Sequence, residues 1–266
     1  MNKVTLLKYS NTNTYIIEGS RGTLLFDTGW AGTFNEFCGA LGEAGKKLQD
    51  ISYILISHFH PDHMGIAQEI AEHGPVIALL DVQKDYIHSA DNFFIRNKEE
   101  AFRSIVDDKV VFLTEKESRS FLEGVGLAGE LIHTPGHSED SISLWLDDGE
   151  LFVGDLNPLY ELELHKGTET GRTWAKLLQR GPRTVYYGHA KTAELQSAPT
   201  KTMTDADMYK LVSQIIKYID RGYSLERIED KTGADSVFIE DVNRMYLTHR
   251  NVGVQGILDR IEIKNK

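Results

Sequence analysis

One cysteine in 266 residues, Cys38, excludes an internal disulfide, and its place beside Phe37, Ala40 and Leu41 suits a small packed hydrophobe better than a reactive thiol. No stretch approaches the ~18 uninterrupted apolar residues of a membrane helix. Residues 1–9 lack the basic start, apolar run and small-residue cleavage site of a signal peptide and read as a short strand. Positive charge is scarce: 29 Lys and Arg stand against 40 Asp and Glu, a net charge of −11, so no cationic surplus exists to bind nucleic acid or an anionic membrane surface. These absences lead to the expectation of a soluble, cytoplasmic protein that handles a small molecule.

With 41% hydrophobic and 26% charged residues the chain can bury a large core, and neither repeats nor low-complexity tracts interrupt it. Apolar runs at Val4–Lys8, Tyr15–Glu18 and Thr23–Phe26 predict a meander of strands. Helical spacing over 33–46, a buried strand at Ile51–Ile56, a helix near 64–73 and a strand at 75–80 follow. A helix-rich insertion spans Asp81–Val106, with Tyr86, Phe93, Phe94 and Phe102 either capping a cleft or filling a core. Strands are expected near 109–113, 119–122, 128–132, 141–146, 150–154 and 184–187, with a helix at 171–180. This alternation predicts an α/β (α+β) fold. After Pro199 the pattern is helical, so the domains are read as a catalytic body at 1–199 and a helical extension at 200–266, packed on it. The piece from Leu225-Glu226-Arg227-Ile228 to Tyr246-Leu247, with Gly233 in the turn, could pass for helix-turn-helix, but its carboxylates disfavour a DNA role.

Three imidazoles and a carboxylate crowd into Ser57-His58-Phe59-His60-Pro61-Asp62-His63, directly after an apolar strand. In extended chain His58 and His60 project together, and the turn after Pro61 redirects Asp62 and His63. Imidazole and carboxylate suit zinc, iron or manganese, and the lack of cysteine ligands favours a catalytic over a closed structural site. His137 follows a Pro-Gly turn, and Asp155 and His189 each follow an apolar strand. Read singly they are a loop histidine, a helix cap or turn residue, and a strand-end histidine. Their shared place at strand ends is what brings separate segments to one cleft.

These residues resemble the metallo-β-lactamase superfamily over most of residues 1–195, through Asp27 of Phe26-Asp27-Thr28-Gly29, the His-x-His-x-Asp-His run, and then His137, Asp155 and His189 in order. The resemblance implies a four-layer αββα sandwich with a helical C-terminal extension and two metal ions, zinc foremost and iron or manganese as alternatives. It implies a first metal on His58, His60 and His137, a second on Asp62, His63 and His189, with Asp155 bridging. Asp27 would steady the ligands, although it also reads as a turn-stabilising Asx residue. Two cations ~3.5–4 Å apart lower the pKa of a shared water toward neutrality and make hydroxide available as the nucleophile, with Asp62 orienting it or shuttling a proton.

Tyr160 and His165 lie in a polar loop after Asp155 where either could touch substrate, whereas Trp174 and Tyr187 read as packing residues. Within the resemblance, Asp155 aligns with the thioesterase, lactonase and phosphodiesterase branches, and His60 disfavours the flavodiiron branch, which carries glutamate there. Lys231, Arg244 and Arg250 do not clearly match the glutathione-holding pattern of the glyoxalase II branch. The leading expectation is hydrolysis of a small thioester, ester or lactone. The alternatives are a phosphodiesterase with the same metals and a metal-binding interaction protein using residues 204–249. Apolar segments including Val252–Ile261 suit a homodimer or the closure of the monomer's own core.

Overall fold

The computed structural model describes residues 3–195 and 205–248, together with Val254 and Ile257. Two compact units emerge, Met1–Asn157 with Thr168–Leu195, and Pro158–Gly167 with Gln196–Lys266.

In the first unit, β1 (Lys3–Leu7), β2 (Thr14–Glu18), β3 (Thr23–Phe26), β4 (Tyr53–Leu55), β5 (Val76–Leu80) and β6 (Val111–Leu113) form one sheet in that spatial order. The β1–β2–β3 meander is antiparallel, and β3 to β6 run parallel because each is joined to the next through helical segments. The second sheet has the order β11 (Ala193–Glu194), β10 (Thr184–Tyr186), β9 (Glu150–Phe152), β8 (Ile142–Leu146), β7 (Gly129–His133). There β9 and β10 are the parallel neighbours.

Strand alternation creates the layers. On β2 to β5, Ile16, Leu25, Ile54, Ile77 and Leu79 face one way and join Phe37 and Leu41 of α1 (Phe34–Glu43), Met64 of α2 (Pro61–Met64), and Ala67 and Ile70 of α3 (Ala67–Ala71). Their neighbours Ile17, Leu24, Phe26, Leu55, Ala78 and Leu80 face the other way and meet Leu131, Leu144, Leu146 and Phe152 of the second sheet. On that sheet's far side Trp145, Leu151 and Val185 are buried, and Trp174 of α6 (Glu169–Leu178) packs its ring against Tyr187. The result is a helix–sheet–sheet–helix sandwich.

Two expectations need correction. The strand expected at 119–122 lies inside α5 (Glu115–Val125), which follows α4 (Asp91–Arg96) and β6 in the chain. A capping box starts that helix: Thr114 Oγ1 accepts from Glu117 N at 3.3 Å, and Glu117 Oε2 accepts from Thr114 N at 2.9 Å. Ser118, Leu122 and Val125 are then buried at helical spacing, which outweighs the β-like pair Phe121-Leu122. The helix expected at 64–73 is divided into α2 and α3 at Gly65, where a Cβ would come 2.2 Å from Ala31 N, a close backbone approach that only glycine allows. Cys38 is half-buried.

The second unit contains α7 (Asp205–Asp220), α8 (Leu225–Thr232) and α9 (Ser236–Thr248) around Val212, Ile215, Ile228, Ile239, Val242 and Ile257. Ser224 Oγ caps α8 by accepting from Arg227 N at 3.4 Å, and Gly233 ends it at φ 65°. The expected 199/200 boundary, Arg250, the side chain of Arg244 and all of 252–261 except Val254 and Ile257 lie outside the described residues. Among the described residues no helix is long and apolar enough to cross a membrane.

Candidate metal centre

The candidate ligands follow strands that end on one side of the sandwich. Asp27 comes directly after β3, Ser57–His63 after β4, Asp155 after β9 and His189 after β10, while His137 lies in the β7–β8 connection. Since β3 pairs parallel with β4, and β9 with β10, their C-terminal ends lie together within each sheet. His60 is the extended residue before α2, with Pro61 at its first position. The chain therefore turns between His60 and Asp62, as the Pro61 reading requires, and Asp62 and His63 occupy the first turn.

Among the described residues three groups gather donor atoms within 4.8 Å of one another: His58, His60 and His137; His58, His63 and Asp155; Asp62, His63 and His189. All seven residues named from the sequence come together. His137 Nε2 and His60 Nδ1 face each other at 3.1 Å. Asp155 Oδ2 is central, 3.3 Å from His63 Nε2 and from His189 Nε2, 3.7 Å from His137 Nε2 and 4.0 Å from His58 Nε2. Asp62 Oδ2 lies 3.0 Å from His189 Nε2 and 3.7 Å from His63 Nε2.

Asp27 sits beneath this cluster, fully buried and with φ at 62°. Its Oδ1 accepts from Ser57 N at 2.7 Å, and its Oδ2 lies 2.9 Å from both Ser57 Oγ and His63 Nδ1. A serine hydroxyl has one proton. Ser57 donates it to Asp27 and accepts from His58 Nδ1, 3.0 Å away, so His58 and His63 both carry hydrogen on Nδ1, and Nε2 is the atom each can offer to a cation. Those two Nε2 atoms are buried without a hydrogen-bond partner, as is Asp155 Oδ1. A buried polar atom without a partner is costly, and a divalent cation is the group that fits imidazole lone pairs beside carboxylates.

The proton affinities follow the same arrangement. Burial works against a charged His63, yet Asp27 and Asp155 hold its pKa up to about 10. Hydrogen bonds to Asp155 and Asp62 hold His189 at about 10. Burial, reinforced by the charge of His63, pushes His58 well below the usual imidazole range. Burial opposes ionisation of Asp155, but His189 and His63 overcome it and hold the carboxyl far below its ordinary value. Positive charge is thus demanded at the positions where a cation would sit.

Several supporting residues went unnoticed in the sequence. Ser57 is one. Asp140 is another: it is buried, and its Oδ2 accepts from Phe59 N at 2.7 Å, tying the loop of His137 to the His58–His60 segment. Gly188 leaves room for the centre, because a Cβ there would stand 2.5 Å from Asp155 Oδ1 and 2.7 Å from His63 Cε1. Asn11, Thr12 and Asn13 contact the segments of Asp62 and His189. The polar run Ser10–Thr14 signalled only a turn.

Tyr160 and His165 belong to the second unit, where His165 Nε2 lies 4.0 Å from Glu161 Oε2. Trp174 and Tyr187 are buried, as packing residues are. In the aromatic insertion Phe94 is buried and stacks on Phe102 at 4.0 Å, which makes that pair core, whereas Phe93 is exposed and lies 6.0 Å from Trp30.

Residues 8–189 match the family described as the metallo-beta-lactamase superfamily. A beta-lactamase-like protein 2 homolog of Caenorhabditis elegans is 26% identical over 81% of this chain and 63% of its own length. An atrochrysone carboxyl ACP thioesterase of Claviceps purpurea is 27% identical over 55% of this chain and 40% of its own. The chain thus spans less than two thirds of either relative. The solved structure of TTHA1623 in a di-iron-bound form shares the fold, with a TM-score of 0.55 and 21% identity over 74% of this chain and 98% of that one.

Proposed function

The chain belongs to the metallo-beta-lactamase superfamily, and from that premise we propose that it is a dinuclear metallohydrolase acting on a small thioester, ester or lactone. The observation that carries this reading is the position of Asp155 Oδ2, within 3.3–4.0 Å of four imidazoles drawn from both outer donor groups. In this reading His58, His60 and His137 would hold one cation and Asp62, His63 and His189 a second, with Asp155 able to serve either. Zinc is the first expectation for the metal, and TTHA1623 gives iron its weight as the alternative. Bound divalent cations supply Lewis acidity toward an acyl oxygen and lower the pKa of water.

The chain's own residues supply the rest. His58 and His63 are fully buried, whereas His60 is exposed and the side chains of His137 and His189 are 29% and 38% exposed, so the centre opens on the side of those three residues. Burial raises the Asp62 carboxyl, but the hydrogen bond from His189 and the charge of His63 win and keep it below its ordinary value. Asp62 is therefore ionised at neutral pH, a carboxylate able to accept a hydrogen bond from water and orient it. Its backbone carbonyl accepts from Thr12 Oγ1 at 2.8 Å, which restrains the residue. The thioesterase-named relative, at 27% identity, supports the inclusion of thioesters among the proposed substrates.

A hydrolysis panel of an acyl thioester, an aryl ester, a lactone and a bis-aryl phosphate, run on zinc-loaded and iron-loaded protein, tests the assignment. Turnover of an acyl substrate that is lost with chelator and in His60→Ala supports it. Turnover of the phosphate diester alone would move the function to phosphodiesterase, and no turnover by fully loaded protein would contradict it.

A further inference from the structure

We infer that the connection between β1 and β2, through Asn11, Thr12 and Asn13, positions the second cation site and thereby sets whether the centre holds two metals or one. The inference rests on the two-cation reading above and adds to it which residues decide the second occupancy.

The two donor groups lean on different parts of the chain. His58 and His60 are braced from the sandwich interior, by Ser57 Oγ at 3.0 Å from His58 Nδ1 and by Asp140 Oδ2 at 2.7 Å from Phe59 N. Asp62 and His189 are braced by the hairpin connection. Thr12 is buried, and its Oγ1 donates to Asp62 O at 2.8 Å and lies 3.4 Å from Asp62 Oδ2. Asn13 Nδ2 donates to Tyr187 O and to Ala190 O, each at 2.9 Å, so one amide group grips the two carbonyls that flank Gly188 and His189. The backbone of Asn13 donates to Gly188 O at 2.6 Å. Asn11 O accepts from His189 Nδ1 at 3.0 Å, which turns Nε2 toward Asp62 and Asp155.

Side-chain chemistry explains the residue choice. An amide nitrogen has two hydrogens for two carbonyls, whereas the carboxylate of aspartate would repel both. A hydroxyl donates where the isosteric valine cannot. Asp62 and His189 come from separate segments, one opening α2 and one following β10. Residues 11–13 of the connection are bonded to both, so they hold their spacing.

Stepwise Zn2+ affinities, measured by competition with a chromophoric chelator on metal-free full-length protein, test this in Thr12→Val, Thr12→Ser and Asn13→Ala. The expected result is a first Zn2+ bound as in the wild type and a second weakened about 10–100-fold in Thr12→Val and Asn13→Ala, with Thr12→Ser restored. Thermal unfolding of the metal-free proteins identifies a variant that fails to fold, and the Thr12 pair stands alone if Asn13→Ala does. Two unchanged affinities in Thr12→Val, or equal weakening of both steps, would overturn the inference while leaving a two-metal wild type intact. A wild type that binds fewer than two Zn2+ would overturn the underlying reading.

Discussion

His63 Nδ1 lies 2.9 Å from Asp27 Oδ2, with the two side chains 0% and 1% exposed. In so dry a setting, which atom carries the hydrogen decides what the other face of the imidazole offers. Asp27→Asn tests this at constant volume. If the carbonyl oxygen of the substituted side chain keeps the bond from Ser57 N, its amide nitrogen replaces the acceptor at Oδ2. His63 must then accept at Nδ1 and carry its hydrogen on Nε2, where it cannot ligate. The folded variant is expected to lose about 10–100-fold in metal affinity. An unchanged affinity by competition titration would show that Asp27 is only a turn residue.

Gly188→Ala places a methyl group 2.5 Å from Asp155 Oδ1 and 2.7 Å from His63 Cε1. Asp155 and His63 must move apart from their present positions, and overpacking of this kind costs about 1–3 kcal/mol. Loss of bound metal together with a lowered Tm is expected. Gly124→Ala is the contrast: within α5 a Cβ there meets nothing within 4 Å. It should leave metal content alone and raise stability by up to about 1 kcal/mol.

His88 offers a pH test away from the centre. Its Nδ1 lies 3.0 Å from Asp91 Oδ2 and its Nε2 2.8 Å from Asp107 Oδ1, while Ser104 Oγ donates to Asp91 Oδ2 at 2.6 Å. Partial burial opposes the imidazolium, but the bond to Asp107 and the charge of Asp91 prevail and raise the pKa. A raised folded-state pKa gives stability that is fully present below the ordinary imidazole value of about 6.5 and is lost as pH rises through the raised value. With His88 48% exposed, solvent screening keeps the contribution below about 1 kcal/mol. The Tm difference between wild type and His88→Gln should shrink from about pH 5.5 to about pH 9. A difference that is flat with pH would show that the pair contributes no charge interaction.

Much of this architecture was legible from residue pattern. Short apolar runs at Tyr15–Glu18 and Thr23–Phe26, and others before His58, Asp155 and His189, located strands β2, β3, β4, β9 and β10 and the residues that follow them. The His-x-His-x-Asp-His run carried the donor set, because chance seldom packs such residues together. Two kinds of information were hidden. The capping box at Thr114 and Glu117 is local, yet Phe121-Leu122 resembles a strand when taken in isolation. Ser57, Asp140, Asn13 and Gly188 act through partners 30 to 177 positions away, or through space that a missing Cβ leaves open, and no local pattern records such partners.

The central claim is that Asp155 joins two cation positions, and metal content tests it most directly. Plasma mass spectrometry on protein purified without chelator, wild type beside Asp155→Ala, should find close to two divalent ions per chain in the first. The variant removes the carboxylate within 3.3–4.0 Å of four imidazoles and should retain markedly less metal while remaining folded. A folded wild type that stays metal-free after dialysis against zinc, iron or manganese, or an Asp155→Ala variant that binds two ions as tightly as the wild type, would contradict the account.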